Sequence, residues 1–139
     1  MTPDPFDLKA RCDAIEECYE FMLAYAAQGV VDEAGSKSAS ELRTFLGRAA
    51  TALADLVETC RSEVQHGGLE PADRYLAFID VLDRDARNAL AAVRLVMAQP
   101  SISSQLVDNL NASIHVRALL TDLFLIDEIL KGHARRVTP

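Results

Sequence analysis

The feature that most constrains this chain is a recurrence of apolar residues at alternating spacings of three and four. It runs through four stretches of roughly 25 to 30 residues and is interrupted at only four places. The first stretch reads Leu8, Cys12, Ile15, Tyr19, Met22, Ala26, and the second Leu42, Leu46, Ala49, Leu53, Leu56, Cys60. The third reads Ala72, Tyr75, Ile79, Leu82, Ala86, Ala89, Val93, Val96, and the fourth Ala112, Val116, Leu119, Leu123, Ile126, Leu130. Such spacing lays an apolar stripe along one face of an α-helix. No stretch alternates with the period of two that a half-buried strand requires.

The interruptions carry helix-ending chemistry. They fall at Pro3 to Pro5, Gly29 to Ser38, His66-Gly67-Gly68 and Gln99-Pro100-Ser101. Asp4 suits an N-cap with Pro5 in the first turn, where a missing N–H costs nothing. Ser38-Ala39-Ser40-Glu41 matches the capping box. Pro71 suits the start of the third helix, and Ser101 or Ser103 that of the fourth. Gly29, Gly67 and Gly132 stand where helix ends favour a left-handed residue. Val30-Val31, in the longest linker, is expected to pack locally. The expectation is one all-α domain over 1–139, with helices at 5–28, 39–66, 71–98 and 103–131 and a frayed basic tail at 132–139. Long amphipathic helices on short connections predict an antiparallel, up-down-up-down four-helix bundle.

The fourth stretch departs from the rest. Beside its main stripe it carries a second apolar row at Val107, Leu110, Ile114, Ala118, Leu125 and Ile129, with Leu120 and Phe124 between the two. From Ala118 to Leu130 nine of thirteen residues are apolar, the exceptions being Thr121, Asp122, Asp127 and Glu128. A helix apolar nearly all round is a covered helix. The second row marks either a deeply covered central helix or an oligomer face; the expectation is the latter, a homodimer through the fourth helix, because two-fold dimers are the commonest oligomers.

Charge narrows the function classes. The 14 Lys and Arg stand against 21 Asp and Glu, a net charge of −7, which disfavours nucleic-acid backbones and anionic membranes as partners. With no tryptophan and 6% aromatics, base stacking has little to work with. No stretch has the length and apolarity of a membrane span. Asp4, Asp7 and Lys9 interrupt any apolar leader, and three cysteines without Cys-x-x-Cys spacing make no disulfide framework or zinc finger. The expectation is a soluble, reduced, cytoplasmic protein.

Candidate chemistry is sparse. Glu63-Val64-Gln65-His66 holds one Glu-x-x-His element; di-iron bundles use two, with further glutamates. Glu63 and His66 are thus weak metal-ligand candidates, and a histidine ending a helix is explained by the helix dipole. His115, followed by Arg117 and Ala118, would need to be accessible with Arg117 beside it to take part in phosphoryl transfer. Cys12 and Cys60 sit on apolar stripes, and Cys18 follows Glu16 and Glu17, which raises a thiol pKa. No nucleophile turn or glycine-rich phosphate loop occurs, so no catalytic residue and no cofactor is assigned. Asn111-Ala112-Ser113 has the form of a glycosylation sequon but falls in the middle of the fourth stretch.

The most informative charge feature is the row Asp13, Glu16, Glu17 and Glu20 on one face of the first helix. Residues 1 to 35 hold eight acids against Lys9 and Arg11, a local net of −6. Like charges four apart are mildly destabilising, so the row is read as a docking stripe for a basic partner protein. These features predict a non-enzymatic, acidic helical module acting through protein contacts, as an adaptor, regulator or secretion-type chaperone. The alternative is a ligand- or metal-binding bundle, a sensor or di-iron-like carrier, with its site near Glu63, His66 or His115.

Overall fold

The computed structural model describes residues 5–137, with side chains over residues 8–136. The described residues are all-helical and form five helices: α1 (Pro5–Ala26), α2 (Lys37–Gly67), α3 (Ala72–Met97), α4 (Ser104–Ala112) and α5 (Ile114–Val137). The expected cap Asp4 lies outside the described residues. The expected fourth helix is two helices that meet at Ser113, so the count of four is corrected to five. Ser113 adopts an extended ψ of 143°, which ends α4. Its side-chain oxygen then accepts from the Val116 N–H at 3.3 Å, capping α5.

Other boundaries also move. The Ser36 hydroxyl caps α2 by accepting from the Ala39 N–H at 3.2 Å, while Ser38 in the expected capping box donates instead to Gln28 Oε1 at 2.7 Å. Gly68, not Gly67, takes the left-handed conformation after α2, at φ 66°. Gly132 lies inside α5, which runs on to Val137, so the helix extends past its expected end at 131. Ser103 caps α4 as expected, with Leu106 N–H at 3.1 Å.

The helices pack α1 on α2, α2 on α3, α3 on α5 and α1 on α4. Their inner faces form one continuous core, in which Leu42, Leu46, Leu56, Leu82 and Leu123 are fully buried. Each such side chain contributes about 1.5–3 kcal/mol through the water it sheds. Tyr25 rather than Ala26 fills the end of the α1 stripe, and its buried hydroxyl donates to the Ile102 carbonyl at 2.6 Å.

One end of the molecule is tied by a polar clasp. Arg43 of α2 grips Glu33 of the α1–α2 linker through Nε at 2.9 Å and Nη2 at 2.7 Å. The same guanidinium donates to the carbonyls of Met97 and Gln99 at 3.0 and 2.9 Å, and Glu33 accepts the Ile102 N–H. The Val30 N–H donates to Ser104 Oγ at 2.8 Å. Val30 thus packs against the core, while Val31 is 86% exposed. The clasp joins the two loops at this end and fixes where α4 begins.

Candidate functional site

The helix pairing leaves one open seam. α5 packs broadly on α3, and among the described residues it approaches α1 less closely, meeting it in the core where Leu8 comes together with Ile126. Between α1 and α5, beside the end of α2, runs a groove of about 410 Å³. Leu8 and Cys12 of α1 and Ile126 and Leu130 of α5 give it apolar walls, and Asp13, Glu16, Glu63 and Asp127 line it as well. Lys9 and Lys131 also line it, each tied to an acid four residues away on its own helix: Lys9 to Asp13 and Lys131 to Asp127, both at 3.0 Å.

That pairing leaves Glu16 in an acidic field. Its carboxyl is pushed above the ordinary glutamate range by partial burial first, then by Asp127 and Asp13. Glu17 and Glu20 are exposed and continue the negative charge outward along α1. The α1 stripe thus divides, Asp13 and Glu16 turning into the groove and Glu17 and Glu20 facing solvent. Of the two residues considered as metal ligands, Glu63 lines the groove. His66 is exposed at the end of α2, where its Nδ1–H donates to the Ser62 carbonyl at 3.0 Å. Among the described residues no group of three His, Cys, Asp or Glu stands together as a metal cage.

The second apolar row of the fourth stretch is split by the break at Ser113. Val107 and Leu110 on α4 are buried, at 0% and 5% exposure, so these two residues belong to the core and are corrected from oligomer face to interior. On α5 the row turns outward: Ile114 is 74% exposed, Leu125 50% and Ile129 39%, with Ala118 half-buried. At 100° per residue these four lie within roughly 60° of one another, and the strip is about 22 Å long. Phe124, also exposed, lies on the other outer flank.

His115 and Arg117 are both exposed in the first turn of α5. Two positions apart, they point to opposite sides of the helix, so access is present and the adjacency phosphoryl transfer needs is not. All three cysteines are buried. Burial alone pushes the Cys18 thiol up to about 12, which replaces the neighbouring acids as the cause.

Sequence reasoning passed over a carboxyl pair on the α3–α5 interface. Asp122 is 7% exposed, and its Oδ2 is buried without a hydrogen-bond partner. Burial first, and then Asp85 of α3, raise its pKa to about 7. The only signal in the sequence was an aspartate inside a run of apolar residues. No family model, curated protein or solved structure matches this chain.

Proposed function

We propose that this protein is a non-enzymatic interaction module. It self-associates through the outer face of α5 and engages a second protein with a basic surface through the acidic stripe of α1. In this reading α4 and α5 together form the fourth strut of an antiparallel, up-down-up-down four-helix bundle. Layered packing supports that topology: Leu8, Val64, Ile79 and Ile126 meet at one level, and Ile15, Leu53, Val93 and Val116 at another.

The observation that carries the reading is the exposed row Ile114, Ala118, Leu125 and Ile129, on a helix whose opposite face fills the core. Apolar side chains aligned on one face of a helix and open to water are costly to leave unpaired, and a two-fold axis across α5 would cover both copies of the row at once. The acidic stripe supplies what the apolar row lacks, long-range attraction and selection against acidic partners. An adaptor, a regulator or a secretion-type chaperone would use this combination.

Sedimentation velocity tests the self-association. The native chain is expected to sediment as a dimer at micromolar concentration, and Leu125→Glu as a folded monomer. A native chain that stays monomeric throughout that range refutes the α5 interface.

A further inference from the structure

The groove between α1 and α5 has features that neither an inert seam nor a purely electrostatic patch needs. Its walls are apolar over a length set by Leu8 to Cys12 on one side and Ile126 to Leu130 on the other. Its rim carries Asp13, Glu16, Glu63 and Asp127, and Glu17 and Glu20 extend the same sign beyond it. Within the concavity these four acids against Lys9 and Lys131 leave a net of −2. Bundle helices ordinarily close such a seam with their own side chains. Among the described residues a space of about 410 Å³ remains between α1 and α5, which is the lower range of pockets that hold a ligand.

We propose that this groove seats a basic amphipathic helix of the partner protein, its apolar side chains between Leu8, Cys12, Ile126 and Leu130 and its lysine or arginine side chains against Glu16, Glu63 and Asp127. The inference deepens the acidic-stripe reading and rests on it. Complementarity chooses the occupant. Apolar walls alone would suit any hydrophobic side chain, and carboxylates alone any cation. The two together suit a segment that presents both at helical spacing. The charge continues past the groove along Glu17 and Glu20, so the complementary cations must be strung along a chain, whereas a small cation would be met by the rim alone. The Lys9–Asp13 and Lys131–Asp127 pairs lie on the surface, with the lysine side chains 72% and 61% exposed. Each contributes little and yields readily to an incoming cation. Glu16 has more to gain, because an added positive charge reverses the repulsion it feels from Asp127 and Asp13.

The probe for the test is a fluorescein-labelled synthetic helix of leucine and lysine in amphipathic register, followed by anisotropy. A peptide of identical composition but scrambled register serves as comparison. Two protein variants are compared with the native chain: Glu16→Gln with Glu63→Gln inside the groove, and Glu17→Gln with Glu20→Gln outside it. The expected result is tighter binding of the amphipathic peptide than of the scrambled one, weakened at least tenfold by the groove variant and less than threefold by the outer variant. Backbone amide shifts on binding are expected at residues 8–16 and 126–134. Equal binding of the two peptides, with loss in the outer variant alone, overturns the groove and leaves the acidic stripe standing. Failure of both peptides to bind at millimolar concentration overturns both. Peptide-induced shifts confined to 114, 118, 125 and 129 place the occupant on the outer face of α5 and likewise overturn the groove. Unchanged far-UV circular dichroism of the variants, which keep side-chain shape, separates lost contact from lost fold.

Discussion

Replacing Asp122 by asparagine removes a buried charge while keeping the side chain's shape. The carboxyl pKa is raised from an ordinary 3.8 to about 7, so between roughly pH 4 and 7 the folded protein holds a proton that the unfolded chain has released. The folded state then binds more protons than the unfolded state, and stability must fall as pH rises through that window and stay low above it. At about 1.4 kcal/mol for each tenfold change in the proton equilibrium, a rise from 3.8 to about 7 caps the penalty at about 4 kcal/mol. Asp85, half-buried on α3, lets water screen part of it, so about 1–4 kcal/mol is expected in practice. Asp122→Asn should therefore be more stable than the native chain by that amount at pH 8, and the gain should fade toward zero near pH 4. Urea titrations followed by circular dichroism at pH 4, 5, 6, 7 and 8 read this directly, because titrations of groups remote from Asp122 and Asp85 cancel in the difference between the two proteins. A gain that is flat with pH, or a loss of stability at pH 8, would refute the buried-carboxyl argument.

Further predictions concern packing and the clasp. Arg43→Ala should cost about 2 kcal/mol by urea denaturation, since it strands Glu33 and two carbonyls at once. Arg43 holds Glu33 below the usual glutamate range. The stability this pair adds is present above about pH 4.5, is lost as pH falls further, and should vanish from the acid limb in the variant. Leu123→Ala, in the fully buried layer, should cost about 2–5 kcal/mol, whereas Leu125→Glu, half exposed, should leave the thermal midpoint of the monomer within a few degrees. Ser113→Ala should lower stability by about 1 kcal/mol through loss of the α5 cap. Cys12, Cys18 and Cys60 should resist alkylation in the folded protein and react on addition of denaturant.

The second and third helices were the most legible because each presents a single stripe whose phase holds, whereas on α1 the buried row shifts by one position to Cys18 and Tyr25 in place of Tyr19 and Ala26. Leu42 to Cys60 and Ile79 to Val96 are buried in the register the spacing predicts. The fourth stretch was misread for an instructive reason. A doubled apolar row looks like one helix covered on two sides, yet it also arises when two helices of different phase are read as one. Val107 and Leu110 fill the core from α4; after Ser113 that duty passes to Val116, Leu119 and Leu123, and Ile114 is turned out to solvent. The available signal was Ser113 itself, a capping residue three positions before Val116.

The groove was half legible. The row Asp13, Glu16, Glu17 and Glu20 is a local pattern, visible on one helix. Its counterparts Glu63 and Asp127 come from other helices, and their approach depends on rotation and spacing that only packing sets. The same holds for Asp85 and Asp122, which lie 37 positions apart in sequence. The Arg43–Glu33 clasp was missed because loop conformation, not periodicity, brings the two together.

The central claim is that this chain works by binding protein surfaces, its own included, and native mass spectrometry of protein purified gently from cells tests it most directly. The account predicts a mass of twice the chain that falls to the single-chain mass in Leu125→Glu, with no small molecule or metal retained. A single-chain mass carrying a stoichiometric metal ion or small ligand would contradict it, and would make the protein a ligand-binding bundle.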